Sequence, residues 1–581
     1  MVATPLKPEK NQTEKRLTIQ TEQINEDTTT IRSLDWDRDR FDIEFGLQNG
    51  TTYNSYIIRG EKIALVDTSH AKFRQLYLDA LTGEIDPTTI DYIIVSHTEP
   101  DHSGLIADVL KLAPQAVIVG AKVAIKFLKD LVHDPFEFIQ VKSGDRLDLG
   151  KGHDLEFVSA PNLHWPDTIF TYDPKTLTLF TCDAFGLHYC SAATYDDDLK
   201  AITPDYRFYY ECLMAPNARS VLSAMKRIDK LDSEITLVAN GHGPLLKHNT
   251  KELMEWYREW SEAQTKGDKT AAVFYVSDYG YSDRISQAIA KGITKAGVAV
   301  EMVDLKVADP QDVHEIVGRA AGLVIGMPPL DSAYNDELSK AVGTILAASK
   351  DKQVFGMFES YGGNDEPIDP LLMKFRDTGL TTAFDSIRVK TEPDEALYQL
   401  CEESGTDLGQ LLTQKEKLKA RKSLDSDLDK AMGRISGGLY ILTAQKGDVK
   451  GAMVASWVTQ ASFEPPGFTV AVAKDRAIES LMQVGDRFVL NILEEGKYQG
   501  LMKHFLKRFP PGADRFEGVN VQMAKNGSPI LGEALAYLEC EVMSRMEASD
   551  HWIVYSKVET GRVSNQEGLT AVHHRKVGNY Y

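Results

Sequence analysis

The chain has 581 residues, of which 43% are hydrophobic and 26% charged, and its formal net charge is −20 at pH 7. This length predicts about three domains of ~150 residues each, and the composition excludes a small or disordered protein. The acidic balance, without a Lys/Arg cluster, disfavours binding to nucleic acid or to an anionic membrane surface. No apolar run approaches the ~18 residues that a membrane span needs, so we expect a large cytoplasmic protein.

The N-terminal segment, residues 1–30, is polar and lacks the apolar core of a signal peptide. We interpret it as a flexible tail. The first chemically informative stretch is VSHTEPDHSG, which directly follows the apolar run Tyr92–Val95. It carries four candidate metal ligands within six residues, namely His97, Glu99, Asp101 and His102. An ordinary polar loop would explain the same residues. However, a strand that ends in a tight turn holds alternate side chains at fixed spacing, which favours a metal site.

Three later apolar runs are also followed by a candidate ligand. Residues 155–158 lead to His164, residues 177–180 lead to Asp183, and residues 235–238 lead to His242. Each case alone is weak, since a single His after a strand is more often an ordinary loop histidine. The set of four predicted strand ends is what indicates a metal centre.

This pattern of His-x-Glu-x-Asp-His with later His, Asp and His resembles the flavodiiron branch of the metallo-β-lactamase superfamily. Glu99 stands where the zinc hydrolases carry a second His, which gives a more anionic ligand set that suits a redox-active iron pair. The resemblance implies an αββα diiron domain, which we place at residues 31–265. The resemblance also implies the ligands: His97, Glu99 and His164 for one iron, Asp101, His102 and His242 for the other, and Asp183 as the bridge.

The cysteines are scattered and contain no Cys-x-x-Cys pair; they are Cys182, Cys190, Cys212, Cys401 and Cys540. This spacing excludes a rubredoxin-type iron site and a disulfide framework, and it predicts buried or free thiols in a reducing compartment. Cys182 directly precedes Asp183. We therefore expect its side chain on the opposite face of the strand and assign it no role.

Strands and helices alternate after the polar turn at residues 265–269. Residues 271–276 read as a strand and residues 283–296 as an amphipathic helix, and strand-to-loop changes recur at residues 322–326 and 353–358. This alternation predicts a parallel, doubly wound α/β sheet. Ligands bind such sheets beyond the carboxyl ends of the strands, where the three following loops should converge.

The arrangement resembles flavodoxin and implies an FMN-binding domain, which we place at residues 268–412. The first loop would bind the FMN phosphate at a helix N-terminus, and the other two loops would flank the flavin ring. The loops depart from the flavodoxin pattern, because the first carries Asp278 and Tyr279 in place of Thr and the third lacks a stacking Trp. The implied contacts are Ser277, Asp278, Tyr279, Gly280, Tyr281, Ser282, Pro328, Pro329, Tyr361, Gly362 and Gly363.

A charged stretch at residues 413–430 reads as a solvated helical linker. Beyond it, short strands and turns over residues 431–581 predict a β-barrel of about 150 residues. The segments ASWVTQASFEPPGFTVAVAKDRAIESLM and SDHWIVYSKVETG resemble the flavin-reductase split barrel, which implies bound FMN or FAD, although their aromatic residues would serve equally as core. The implied flavin contacts are Ser456, Trp457, Val458, Thr459, Gln460, Ser462 and Lys474.

Together these resemblances cover about residues 30–581 and point to the three-domain flavodiiron proteins of oxygenic phototrophs. They imply that hydride from NAD(P)H reduces flavin in the barrel, that electrons pass singly to FMN and then to two irons, and that O2 is reduced to water. Such proteins generally form head-to-tail dimers, which implies a homodimer or a hetero-oligomer with a paralogue.

Three alternatives stay open at this point. The same irons would serve nitric oxide reduction. A zinc hydrolase of the superfamily is a more distant alternative, because it would leave Glu99 and two flavin domains unexplained. A non-catalytic partner subunit is disfavoured by the complete ligand set. The sequence does not separate NADH from NADPH as the electron donor.

Overall fold

The computed structural model describes residues 16–38, 40–41, 45–231, 234–266, 269–276, 281–306, 308, 310–327, 335–359, 369–389, 393–423 and 427–575. The chain divides into two compact units, Met1–Ser261 and Glu262–Tyr581. The second unit holds both the flavodoxin-like and the flavin-reductase-like regions, and the domain boundaries drawn above stay predictions. Within the described residues, no helix is both long enough and apolar enough to cross a membrane.

The first unit is built on two main β-sheets. Its strands are β1 (Leu17–Asn25), β2 (Thr28–Asp35), β3 (Arg40–Phe41), β4 (Phe45–Gly46), β5 (Thr51–Arg59), β6 (Ile63–Val66), β7 (Ile90–Val95), β8 (Val117–Ala121), β9 (Phe138–Val141), β10 (Arg146–Gly150), β11 (His153–Ser159), β12 (Ile169–Asp173), β13 (Thr178–Cys182) and β14 (Leu237–Asn240). The first sheet has the order β1-β2-β5-β6-β7-β8-β9 and the second β10-β11-β12-β13-β14, while β3 and β4 form a separate pair. Strands β6 to β9 run parallel, as do β13 and β14.

The helices of this part of the chain are α1 (Arg74–Glu84), α2 (Pro100–Ser103), α3 (Ile106–Leu112), α4 (Lys122–Leu131), α5 (Leu199–Tyr209), α6 (Ala218–Ile228) and α7 (Thr250–Thr265). Short 3-10 turns lie at Ala71–Phe73, Pro87–Thr89 and Ala215–Asn217, and a π-helical turn lies at Tyr210–Met214.

Alternation along the strands explains how the two sheets and the helices form layers. In β5, Tyr56 and Ile58 enter the core between the sheets, where they join Phe157 and Phe180, whereas Ile57 joins the core on the other face. That second core includes side chains of α1, α3, α4, α5 and α6. Successive strand residues point to opposite faces, so each sheet buries one face against the other sheet and one against helices. This confirms the predicted αββα architecture.

The second unit begins with a five-stranded parallel sheet. Its strands are β15 (Thr270–Tyr275), β16 (Ala299–Asp304), β17 (Gly322–Met327), β18 (Val354–Glu359) and β19 (Thr381–Thr382). The spatial order is β16-β15-β17-β18-β19, the 2-1-3-4-5 order of a doubly wound sheet. The accompanying helices are α8 (Tyr281–Lys295), α9 (Pro310–Arg319), α10 (Asn335–Ala348), α11 (Asp369–Asp377) and α12 (Glu395–Ser423). The predicted flavodoxin-like fold is confirmed.

The remainder of the second unit is an open antiparallel barrel. Its elements are α13 (Asp427–Met432), β20 (Gly437–Gly438), β21 (Tyr440–Lys446), β22 (Val449–Ala455), β23 (Val458–Phe463), β24 (Pro466–Ala473), a 3-10 helix (Ala477–Leu481), β25 (Arg487–Ile492), α14 (Gln499–Leu506), β26 (Val521–Met523), β27 (Pro529–Leu531), β28 (Ala536–Ala548), β29 (His551–Val563) and β30 (Val572–His573). The main sheet has the order β22-β21-β25-β28-β29-β24-β23, so β22 and β23 are its edges. This confirms the predicted split barrel.

Glycines allow α8 and α12 to approach each other closely. A Cβ atom added at Gly405 of α12 would lie 1.9 Å from the carbonyl oxygen of Ile289 in α8, and one added at Gly292 of α8 would lie 1.9 Å from the carbonyl oxygen of Glu402. Backbone atoms cannot yield as a flexible side chain can. The contact between these two helices therefore depends on the absence of side chains at both positions.

We expect Gly405→Ala to destabilise the second unit by ~1–3 kcal/mol, because the new methyl group would force α8 and α12 apart. The matched control is Gly343→Ala in α10, where no described atom outside the helix's own backbone lies within 4 Å of the added Cβ. That change should be neutral or stabilising by up to ~1 kcal/mol, since Ala favours helix over Gly. Urea unfolding measures both, and equal stability of the two variants would contradict the packing argument.

Candidate metal centre

The seven side chains predicted as metal ligands lie together at the carboxyl ends of strands in the first unit. His97 and Glu99 follow β7, and α2 then carries Asp101 and His102. His164 lies in the loop between β11 and β12, Asp183 follows β13 and His242 follows β14. Because the two sheets face each other, ligands from both converge at one edge of the sandwich. All seven are buried.

The seven predicted ligands form two adjoining groups. The ligand atoms of His97, Glu99, His164 and Asp183 lie within 4.8 Å of one another, and those of Asp101, His102 and His242 do the same. Asp183 faces both groups: its Oδ2 lies 3.2 Å from Nε2 of His164, and its Oδ1 lies 2.9 Å from Nε2 of His102 and 3.2 Å from Nε2 of His242. One carboxylate therefore stands between two sites that could each hold a cation.

Unsatisfied oxygen atoms show that the groups fit cations. Both carboxylate oxygens of Asp101 and Oδ2 of Asp183 are buried without a hydrogen bond among the described residues. Nε2 of His102 lies 3.4 Å from Oδ1 of Asp101, and Nε2 of His242 lies 3.4 Å from its Oδ2. Leaving a buried carboxylate unsatisfied is costly, whereas a metal ion between these atoms would satisfy all of them. Imidazoles with three carboxylates form a donor set that suits iron.

The pKa shifts within the two groups also indicate that the groups fit cations. Burial lowers the pKa of His164, but Glu99 and Asp183 outweigh burial and raise it to about 10. His242 responds in the same way to Asp101 and Asp183, with a pKa of about 10. Burial raises the pKa of Asp183, yet the imidazoles, His102 first, hold it well below its usual range. Protons thus balance the carboxylates, and a bound cation would replace them.

Residues behind the ligands fix their orientation. Nδ1 of His97 lies 3.0 Å from Oδ1 of Asp167, whose Oδ2 accepts the backbone N–H of Thr98 at 2.8 Å. Nδ1 of His242 lies 2.7 Å from the backbone oxygen of Thr52. These contacts turn both Nε2 atoms toward the groups, as outer partners of metal-bound imidazoles do. Asp167 is not among the predicted site residues, although a carboxylate three residues after His164 was the available signal.

The expectation for Cys182 is wrong. Its sulfur lies within 4.8 Å of the ligand atoms of both His102 and Asp183, not on the opposite face of the strand. The register between β13 and β14 shifts between Phe180 and Cys182, and Cys182 has a positive φ of 52°. This irregularity breaks the simple alternation of side chains. All five cysteines are buried thiols, as predicted.

The predicted FMN contacts fall mostly outside the described residues. These are Ser277, Asp278, Tyr279, Gly280, Pro328, Pro329, Tyr361, Gly362 and Gly363. Tyr281 and Ser282 begin α8, and Ser282 is buried. The strands that lead to the three loops, β15, β17 and β18, are parallel neighbours and end at the same edge of the sheet. The roles of the predicted contact residues in FMN binding stay predictions.

The structure brings together the two barrel segments that resemble flavin reductases. Ser456 and Trp457 lie between β22 and β23, whereas Val458, Thr459, Gln460 and Ser462 lie on the edge strand β23, and Lys474 follows β24. The ring of Trp457 lies 5.1 Å from that of His551, and the backbone N–H of Lys474 donates to the oxygen of Asp550 at 3.0 Å. The roles of these residues in flavin binding stay predictions.

We expect Asp167→Asn to weaken the binding of divalent metal by about 10–100-fold, because one amide oxygen cannot accept from both Nδ1 of His97 and the backbone N–H of Thr98, as the two carboxylate oxygens of Asp167 do. The control is Asp154→Asn, which alters an exposed carboxylate on β11 that pairs with Arg146. Metal content after dialysis against a chelator series measures the difference. Equal retention in the two variants would show that Asp167 does not position His97.

Family models match three consecutive parts of the chain. The model described as ODP family beta lactamase matches residues 51–243, Flavodoxin matches residues 273–405, and Flavin reductase like domain matches residues 432–580. A solved structure, a metal-soaked Flv1 flavodiiron core from Synechocystis sp., has 37% sequence identity and a TM-score of 0.65, and the match covers 69% of this chain and 99% of that one.

Relatives match over the whole chain. Diflavin flavoprotein A 1 of Synechocystis sp. is 71% identical over 581 residues, which is 100% of both chains. Diflavin flavoprotein A 3 of Nostoc sp. is 68% identical over 98% of this chain and 99% of its own. With the fold and the ligand geometry above, these similarities show that the chain belongs to the diflavin flavoproteins, the three-domain branch of the flavodiiron family.

Proposed function

We propose that this protein is an NAD(P)H:oxygen oxidoreductase that passes electrons through two flavins to a diiron centre, where O2 is reduced to water. The observation that carries this proposal is the complete, buried ligand set in which Asp183 faces both groups of ligands. Two flavin-type domains in the same chain supply a path for electrons. A zinc hydrolase would need neither those domains nor Glu99.

In this proposal, His97, Glu99 and His164 would hold one iron, Asp101, His102 and His242 would hold the other, and Asp183 would serve both. Iron at these positions would supply reversible one-electron chemistry and open coordination positions for a small gas. Burial of the ligands limits access of bulk water, which reduces side reactions. The contact of Asp167 with Nδ1 of His97 keeps Nε2 of that ring directed toward Glu99 and Asp183.

The barrel is the proposed site of electron input from NAD(P)H. Trp457, Lys474 and the neighbouring residues of β23 would hold FMN or FAD, and the loops after β15, β17 and β18 would hold FMN. Parallel strands that end at one edge support this placement, because ligands of doubly wound sheets bind at that edge. One flavin would accept the hydride and the other would pass electrons singly. The flavins carry this chemistry, and the domains hold them in position.

We expect about two irons per chain in the purified protein, because each ligand group offers one complete site. Asp183→Ala should remove both, since its carboxylate serves two cations, whereas His242→Ala should mainly loosen one. The control, His248→Ala, changes a half-exposed histidine that pairs with Asp197 and should retain both irons. Elemental analysis decides the matter, and stoichiometric zinc or unchanged iron in Asp183→Ala would refute the assignment.

Turnover should consume about two NAD(P)H per O2 and release almost no peroxide, as four-electron reduction requires. We expect His97→Ala to move the ratio toward about one NAD(P)H per O2 with matching peroxide, because the change damages a metal site and leaves both flavin domains intact. An oxygen electrode with a peroxide assay measures both quantities. Turnover with nitric oxide in place of O2 tests the substrate, and a nitric oxide rate about tenfold higher would make nitric oxide the substrate.

A further inference from the structure

Helix α12 lies between the flavodoxin-like sheet and the barrel in the second unit. On one side, Gly405 gives it close contact with α8. On the other, Glu403 pairs with Arg515 at 3.0 Å and accepts the backbone N–H of Gly512 at 2.9 Å. Asp407 pairs with Arg508 at 2.8 Å. One helix thus contacts both regions that the family models assign to different domains.

A network of buried charges reinforces this contact. Nζ of Lys295 in α8 lies 2.5 Å from Oε1 of Glu402 in α12 and 2.5 Å from Oε2 of Glu479 in the 3-10 helix of the barrel. Lys291 pairs with Glu402 at 3.0 Å, and Arg545 of β28 pairs with Glu479. The five side chains are between 6% and 17% exposed. We call these five residues the charge clamp.

Because its ion pairs are buried, the charge clamp favours one relative position of the barrel and the two helices over all others. Ions that leave water lose hydration, so a buried pair adds little net stability, but removal of one partner leaves an uncompensated charge at a cost of ~3–5 kcal/mol. Each carboxylate here lies between two cations: Glu402 between Lys291 and Lys295, and Glu479 between Lys295 and Arg545. Sliding or rotation of the barrel would break several pairs at once.

We propose that the charge clamp holds the flavin-reductase-like barrel against the flavodoxin-like domain in one fixed arrangement, so that the barrel is a docked donor and not a mobile arm on a linker. Lys291, Lys295 and Glu402 lie within the flavodoxin match, whereas Glu479 and Arg545 lie within the flavin reductase match. The clamp therefore crosses the boundary between the two domains. The significance for electron transfer rests on the proposed function, but the docking itself does not.

Further contacts support docking over tethering. Ser480 donates to Oε1 of Gln399 at 3.1 Å, and the side-chain amide of Gln410 donates to Asp475 at 3.3 Å. Both barrel residues lie next to segments already named: Ser480 follows Glu479, and Asp475 follows the predicted flavin contact Lys474. The surface that docks on α12 is therefore continuous with the region that we propose to hold the barrel flavin.

The test uses the full chain with a protease site inserted between α12 and α13. After cleavage, we expect the barrel to stay bound to the rest of the protein during size-exclusion chromatography, in dilute buffer and in 1 M salt (about 3 Å screening length), because buried pairs are screened little. Glu479→Gln should raise the dissociation constant at least about 100-fold, since Lys295 and Arg545 would lose the carboxylate that lies between them.

Two further variants keep the result interpretable. Glu559→Gln removes a carboxylate that pairs with Arg487 on the barrel surface and should leave docking unchanged. Adding Arg545→Met to Glu479→Gln removes one of the two opposed cations and should restore at least about tenfold of the lost affinity, which general misfolding would not allow.

Hydrogen exchange on the uncut chain supplies an independent readout, with faster exchange expected in both α8 and residues 477–481 of Glu479→Gln. Release of the barrel from the cleaved unmodified chain, or an unchanged dissociation constant in Glu479→Gln, would overturn the proposal. No measurement here uses metal, coenzyme or oxygen, so failure of the proposed function would not alter these outcomes.

Discussion

The position of one carboxylate, Asp183, constrains the rest of the first unit. It is buried, and it can face both ligand groups only if β13 ends where β7, α2 and β14 also deliver their side chains. Those ends meet because the two sheets pack face to face through the apolar core that contains Tyr56 and Phe180. Burial of apolar strands thus determines where the anionic ligands lie.

The sequence predicted the fold and the seven side chains that the structure brings together more completely than it predicted the supporting contacts. Each ligand directly follows or closely follows an apolar run, which is a local signal that periodicity can detect. Asp167 supports His97 across 70 residues of chain, and no local pattern encodes that contact. The rule that successive strand side chains alternate between faces puts Cys182 on the wrong face, because a shift in strand register interrupts the alternation. Such shifts depend on the neighbouring strand.

The contacts between the two flavin-type domains were also beyond sequence reasoning. The charges of residues 413–430 predict a solvated helical linker, and this stretch includes the end of α12, which begins at Glu395. The ion pairs of α12 to the barrel come from Glu403 and Asp407, earlier in the helix. Lys295 and Glu479 are 184 positions apart, and charged side chains usually indicate solvated surface. Only tertiary structure shows that these charges are buried against one another.

Helix α12 also fixes the spacing and the direction of the contacts along its length. It runs without interruption for 29 residues, beyond the end of the flavodoxin match at residue 405 and toward the start of the flavin reductase match at residue 432. Each residue of an α-helix adds about 1.5 Å of length and roughly 100° of rotation. A single inserted residue would swing every later contact around the axis, whereas an insertion of about four residues would nearly restore the phase. Because even a whole-turn insertion would move the later contacts about 6 Å along the axis, the part of α12 that contacts both domains should keep a constant length in related proteins.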